Sequence, residues 1–200
     1  MSNNGKIELV IDDKRVVAQK GDTLLDVAKK EGIDIPTLCH HEALKEHGSC
    51  RLCIVEIKRK GRSKTVASCA YPAEDGISVL TESPKVESVR KQLVELYMAM
   101  FPFIPEIKDL AQKYGLKDTR YVKQNDYCIL CGLCVRYCAE VKKNNAIGFT
   151  GRGIDKKVAF IPDSAYFKHC EDCMECVDLC PTGVFPSNYG MERIPQISDD

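Results

Sequence analysis

The sequence predicts an α+β chain: an N-terminal module on a small mixed sheet crossed by one helix, a helical connector, and a C-terminal module organised by cysteine. Three observations predict it. Short apolar runs around polar turns recur between residues 7 and 80, and apolar residues then recur at helical spacing from Ser83 onward. The twelve cysteines of the 200-residue chain are grouped, four between residues 39 and 69, eight between 128 and 180, and none between 70 and 127. The gap marks the boundaries as 1–82, 83–122 and 123–200.

In the first module, residues 7–11 and 16–18 flank the polar turn Asp12-Asp13-Lys14, which reads as a hairpin. A helix follows, with Thr23 as its cap, Asp26 three positions later, an apolar side of Leu24, Leu25 and Ala28, and Gly32 at its end. Residues 53–57 and 65–69 are strand candidates on either side of the basic turn 58–62, and residues 77–80 add another. This is the order of elements seen in β-grasp ferredoxin domains.

The connector opens with Ser83-Pro84, an N-cap followed by proline at the first helical position. Val86, Val89, Leu93, Leu96 and Met100 recur at helical spacing, Pro102 and Pro105 end that helix, and residues 107–114 form a shorter one closed by Gly115. The apolar run 101–104 is either a docking patch or packing between the modules, and packing is the plainer account.

Charge and composition exclude several functions. Lys plus Arg and Asp plus Glu number 29 each, so no long-range field draws in nucleic acid or anionic lipid. No apolar stretch approaches the ~20 residues that span a bilayer, so no direct membrane insertion is expected. No signal peptide is read at residues 1–5, which points to the cytoplasm, where a cysteine-rich chain binds metal rather than forming disulfides.

The cysteine spacing carries the chemistry. From Cys128 the chain reads C-x2-C-x2-C-x3-C, and from Cys170 it repeats that spacing with Pro181 closing the run. Two such runs are the bacterial two-cluster ferredoxin signature, in which the fourth cysteine of each run ligates the other cluster. One [4Fe–4S] cluster is therefore expected on Cys128, Cys131, Cys134 and Cys180, and a second on Cys138, Cys170, Cys173 and Cys176. Gly132 suits the tight curl between ligands, whereas Met174 holds the equivalent place without glycine's freedom and needs a local adjustment. Structural zinc is the competing account, but it uses pairs of cysteines and leaves the third and fourth of each run unexplained.

In the first module the pattern is Cys39-x10-Cys50-x2-Cys53-x15-Cys69, which shares its C-x2-C core and late closure with plant-type ferredoxins and lengthens the first interval. A [2Fe–2S] cluster on Cys39, Cys50, Cys53 and Cys69 follows, wrapped by residues 48–53. With twelve cysteines filling three four-ligand sites, His40, His41, His47 and His169 are read as hydrogen-bonding neighbours or surface groups, and iron as the only metal.

The chain resembles the iron–sulfur N-terminal part of the large complex I subunit and the diaphorase iron–sulfur subunit of bidirectional NAD-linked hydrogenases. It also resembles the N-terminal regions of [FeFe] hydrogenases and NAD-dependent formate dehydrogenases. The residues that carry the resemblance are 21–25, 35–39, 48–53, 87–92, 128–138, 151–153 and 176–183. Many members hold a further [4Fe–4S] cluster on one His and three Cys between the modules; residues 70–127 contain neither residue type, so that cluster is expected to be absent. The resemblance implies an electron-transfer subunit of a multi-subunit oxidoreductase with no catalytic centre of its own. Its implied partners are a flavin/NAD(P)H-oxidoreductase subunit and a catalytic hydrogenase subunit, or a formate dehydrogenase subunit in the alternative, with soluble ferredoxin at a branch. A free polyferredoxin shuttle is the reading from another class, disfavoured by the absence of a strong net charge to steer transient encounters. A succinate dehydrogenase or fumarate reductase iron–sulfur subunit is disfavoured by two complete, matching cysteine runs.

Overall fold

Lys6–Ile11 (β1) and Lys14–Gln19 (β2) pair antiparallel around a two-residue turn in the computed structural model, which describes residues 6–124, 126–161 and 173–183. Asp12 and Asp13 sit at φ 46° and 66°. Left-handed backbone at both central positions matches the right-handed twist of the flanking strands. Leu9, Ile11, Val16 and Ala18 face the core while Val17 points outward, as a half-buried hairpin requires. The described residues fall into two units, one drawn from Met1–His40 and Glu46–Leu93, the other from His41–Lys45 and Val94–Asp200.

In the first unit, Leu24–Lys30 (α1) starts on the expected cap: the Thr23 hydroxyl accepts from the Asp26 N–H at 3.2 Å, and the Asp26 carboxylate accepts from the Thr23 N–H at 2.9 Å. Such a reciprocal box contributes about 1 kcal/mol. The Leu24 and Leu25 amides donate to the carbonyls of Tyr71 and Ser68, which ties the start of α1 to the segment carrying Cys69. Ile54–Arg59 (β3), Arg62–Ala67 (β4) and Ser78–Leu80 (β5) complete a five-stranded mixed sheet in the order β2-β1-β5-β3-β4, with β1 and β5 parallel. The basic turn is tighter than residues 58–62 suggest. Lys60 and Gly61 alone make it, at φ 47° and 75°, because the ladder continues to Arg59 opposite Arg62.

Pro84–Met100 (α2) begins where Ser83 caps it, the Ser83 hydroxyl accepting from the Val86 N–H at 3.3 Å. Its buried stripe differs from the apolar periodicity. Val89, Leu96 and Met100 are 36%, 41% and 36% exposed, whereas Val86, Arg90 and Val94 are buried. An arginine occupies the middle of the core face.

In the second unit, Pro105–Lys113 (α3) has proline in its first turn and is followed by Gly115 at φ 66°. Phe101 and Ile104 are buried, so the apolar run packs inward, with Phe103 left exposed beside Tyr127. Leu133–Glu140 (α4) and Glu175–Asp178 (α5) carry cysteines, and an antiparallel pair, Ile147–Thr150 (β6) and Lys157–Phe160 (β7), packs with them. The sequence pattern does not predict this pair. The described residues form an α+β chain.

Gly132 and Met174 precede α4 and α5 in the same left-handed conformation, φ 73° and 41°. The adjustment at Met174 is thus a strained backbone, costing about 1–2 kcal/mol for a residue with a Cβ. Met174→Gly is expected to stabilise the second unit by a net ~0.5–1 kcal/mol once glycine's unfolded-state entropy is deducted, read as a higher denaturant midpoint at unchanged slope.

Candidate metal centres

Cys39, Cys50, Cys53 and Cys69 are all buried, though they come from separate stretches of sequence. Cys39 precedes the long interval, Cys50 and Cys53 bracket a loop leading into β3, and Cys69 follows β4. The loop is tightly turned, with Gly48 at φ 62° and Arg51 at φ 60°. Arg51 is held there by its guanidinium donating to the Gly48 carbonyl at 3.5 Å.

The Cys53 and Cys69 sulfurs lie 3.3 Å apart and share a hydrogen bond. The Cys50 N–H donates to the Cys39 sulfur at 3.3 Å, and the Leu38 N–H to the Cys50 sulfur at 3.5 Å. Hydrogen bonding to Cys39 lowers the Cys50 thiol to about 6, and hydrogen bonding to Cys69 lowers Cys53 to about 6. Cys39 and Cys69 are pushed far up, chiefly by hydrogen bonding to Cys50 and Cys53, with burial adding to the effect. Thiols must be deprotonated to ligate a metal, so metal binding at this site releases protons. Four buried sulfurs, two of them met by backbone N–H groups, fit an iron–sulfur cluster.

Three consecutive carbonyls hold the loop around Cys53. The Cys53 carbonyl accepts from the Ser68 N–H at 3.0 Å and the Ser68 hydroxyl at 2.7 Å. Arg90 Nε donates to the Leu52 carbonyl at 3.0 Å and Arg90 Nη2 to the Ile54 carbonyl at 2.7 Å. Arg90 lies within one of the stretches that carry the family resemblance, but the sequence pattern assigns it no role.

In the second unit, Cys131, Cys134 and Cys138 are buried and Cys128, Cys173, Cys176 and Cys180 half-buried. Cys170 and His169 lie outside the described residues. Burial raises the thiols of Cys128, Cys131 and Cys134, that of Cys131 to about 11, and the charge of Cys180 raises all three further. Cys180 and Cys176, from the second run, pack against the same core cluster as Cys128, Cys134 and Cys138 of the first. Cys176 also acts on Cys134. The Ala146 N–H donates to the Cys138 sulfur at 3.3 Å, linking the approach to β6 to that thiol.

Polar bridges join the two helices. The Tyr137 hydroxyl donates to Glu175 at 2.8 Å, and Lys142 pairs with the same carboxylate, whose pKa is lowered by both contacts. Arg136 Nη1 donates to the Lys45 carbonyl at 2.7 Å, and the Lys45 N–H to Glu140 at 3.0 Å. Of the histidines, His47 is exposed, His40 and His41 are half-buried, and His41 meets the Tyr137 ring edge-on with Nδ1 accepting from the Ala43 N–H.

Both cysteine-bearing modules match known protein families. Residues 4–84 match a 2Fe-2S iron–sulfur cluster binding domain, and residues 121–186 match the ferredoxin-like domain of NADH-quinone oxidoreductase subunit 3. The mitochondrial NADH-ubiquinone oxidoreductase 78 kDa subunit of Neurospora crassa is 30% identical over 91% of this chain and 28% of its own length. The NADH-ubiquinone oxidoreductase 75 kDa subunit of Reclinomonas americana is 29% identical over 90% and 29%. The NADPH-Fe(3+) oxidoreductase subunit alpha of Geobacter sulfurreducens is 32% identical over 90% and 24%. The chain thus spans about a quarter of the length of the curated relatives it matches. A chain in the crystal structure of NAD+-reducing [NiFe]-hydrogenase in the H2-reduced state matches with a TM-score of 0.72 and 28% identity, over 88% of this chain and 85% of that one. A [2Fe–2S] domain followed by a [4Fe–4S] ferredoxin-like domain makes this an iron–sulfur chain, related to the NADH-ubiquinone oxidoreductase 75 and 78 kDa subunits and to a chain of NAD+-reducing [NiFe]-hydrogenase.

Proposed function

We propose that the chain is the electron-relay subunit of a cytoplasmic, NAD(P)-linked hydrogenase, passing electrons between a flavin subunit that handles NAD(P)H and a catalytic subunit that acts on hydrogen. The observation that carries this reading is the match to the NAD+-reducing [NiFe]-hydrogenase, which runs along 85% of that chain. Among the described residues no helix is long and apolar enough to cross a membrane, in keeping with attachment through partners alone. Soluble ferredoxin is a further partner at a branch point.

The reading divides the chain into a [2Fe–2S] β-grasp domain over 1–82, a connector over 83–122, and a two-cluster domain over 123–200. Cys39, Cys50, Cys53 and Cys69 hold the [2Fe–2S] cluster. One [4Fe–4S] cluster sits on Cys128, Cys131, Cys134 and Cys180, the other on Cys138, Cys170, Cys173 and Cys176. When bound, each cluster takes up and releases one electron at a time. The thiolates supply its ligands, the N–H groups of Leu38, Cys50 and Ala146 donate to those sulfurs, and burial of the N-terminal site keeps water from it.

Anaerobic purification of the native complex with identification of its subunits tests the proposal. A flavoprotein and a hydrogen-activating chain are expected to co-purify, and the isolated chain to hold about ten iron and about ten sulfide per polypeptide, the sum of about two, four and four. A molybdenum or tungsten chain in place of the hydrogenase would move the function to formate oxidation. A monomer with no companions on gel filtration would make it a free shuttle.

A further inference from the structure

We propose that Arg90 is the internal counter-cation of the [2Fe–2S] site and the positioning residue of Cys53, so that it sets how readily that site accepts an electron. This rests on the assignment of Cys39, Cys50, Cys53 and Cys69 to a [2Fe–2S] cluster. Arg90 is 2% exposed, in the middle of the core face of α2. Its guanidinium donates to the carbonyls of Leu52 and Ile54, the residues on either side of Cys53. Ser68 takes the intervening carbonyl twice, so the backbone through Cys53 is fixed at three successive peptides and the direction of its thiolate with it.

A neutral side chain would satisfy geometry more cheaply than a buried cation. Carbonyls offer dipoles but no charge, and among the described residues no carboxylate forms an ion pair with Arg90. A buried charge of this kind is retained where another charge compensates it. Four thiolates, two sulfides and two ferric ions give a formal charge of about −2, and one added electron, which converts one ferric ion to ferrous without breaking a bond, makes it about −3. The guanidinium favours the more negative state. Arginine suits the role because it stays charged when buried and its planar fork reaches both carbonyls at once.

The test uses the full chain, purified anaerobically, with dithionite as reductant and the [2Fe–2S] EPR signal followed through a redox titration. Arg90→Met keeps the length and apolar bulk but removes the charge; Arg90→Lys keeps the charge and loses the fork. In R90M the reduction equilibrium is expected to shift at least tenfold toward the oxidised state, a midpoint lower by about 59 mV or more for a one-electron couple, with R90K recovering most of the shift. A purely structural residue would lower the thermal midpoint in both variants and leave the potential where it was; that result overturns the proposal. If R90M fails to load iron, R90K decides: loading with a midpoint near wild type supports the charge role, and failure of both variants alike refutes it. A wild-type chain with no [2Fe–2S] signal removes the underlying assignment itself.

Discussion

Cys180→Ala is expected to remove one whole cubane, lowering the iron content from about ten to about six per chain while leaving the [2Fe–2S] signal intact. The reason lies in where Cys180 sits. It follows α5, in the second cysteine run, yet packs against the same core cluster as Cys128 and Cys134 of the first. If Cys128, Cys131, Cys134 and Cys180 form one ligand set, further loss within that set changes nothing. Iron in the double variant C131A/C180A should therefore stay at about six, whereas C173A/C180A, which strikes both sets, should fall to about two. Uncrossed ligation predicts the reverse pair of results, so iron analysis of three purified proteins decides between them.

That test is possible because the cysteine pattern is unusually legible. Metal ligands must converge on a small volume, so the spacing between thiols is fixed by chemistry and survives in the sequence. Local backbone signals are legible for the same reason. Thr23 and Asp26 close a capping box, Asp12-Asp13 makes a left-handed turn, and Gly132 and Met174 share one conformation that the second must adopt under strain. Each is decided by a few neighbouring residues and needs no knowledge of the rest of the chain.

What is not legible depends on distant partners. Arg90 is not among the apolar residues that recur along α2, and only the carbonyls of Leu52 and Ile54, nearly forty positions earlier, explain its place on the buried face. The ends of β3 and β4 are hidden in a basic stretch without apolar alternation. Ladder bonds rather than burial extend those strands, since Lys58 pairs with Ser63 and Arg59 with Arg62 on an exposed surface. The β6–β7 pair escapes the pattern because four-residue strands give little periodicity, although Ile147, Phe149, Val158 and Phe160 all pack on the cysteine-bearing core.

That pair yields the second large effect. Gly151, directly after β6, has φ 69°, and a methyl group added there would come within 2.3 Å of the Asp155 carbonyl oxygen and 2.9 Å of its carbon. Both are backbone atoms of the turn that brings the chain back into β7, so neither can rotate away. Gly151→Ala must therefore open the turn or shift the register of Thr150 against Lys157. Left-handed strain alone is about 1–2 kcal/mol, and the collision raises the expected loss to about 2–4 kcal/mol. Gly153 in the same turn is a control: it too has positive φ, at 58°, but an added methyl meets nothing within 4 Å. Gly153→Ala should lose only the conformational part, about 1–2 kcal/mol. The consequence reaches the cluster site because β6 and β7 pack on Cys134 and Cys138, and the Ala146 N–H donates to the Cys138 sulfur. Chemical denaturation of the holo chain, followed by loss of the cubane absorbance, should rank wild type above G153A and G153A well above G151A. Equal midpoints for the two variants would mean that the turn relaxes freely and carries no strain to the thiols.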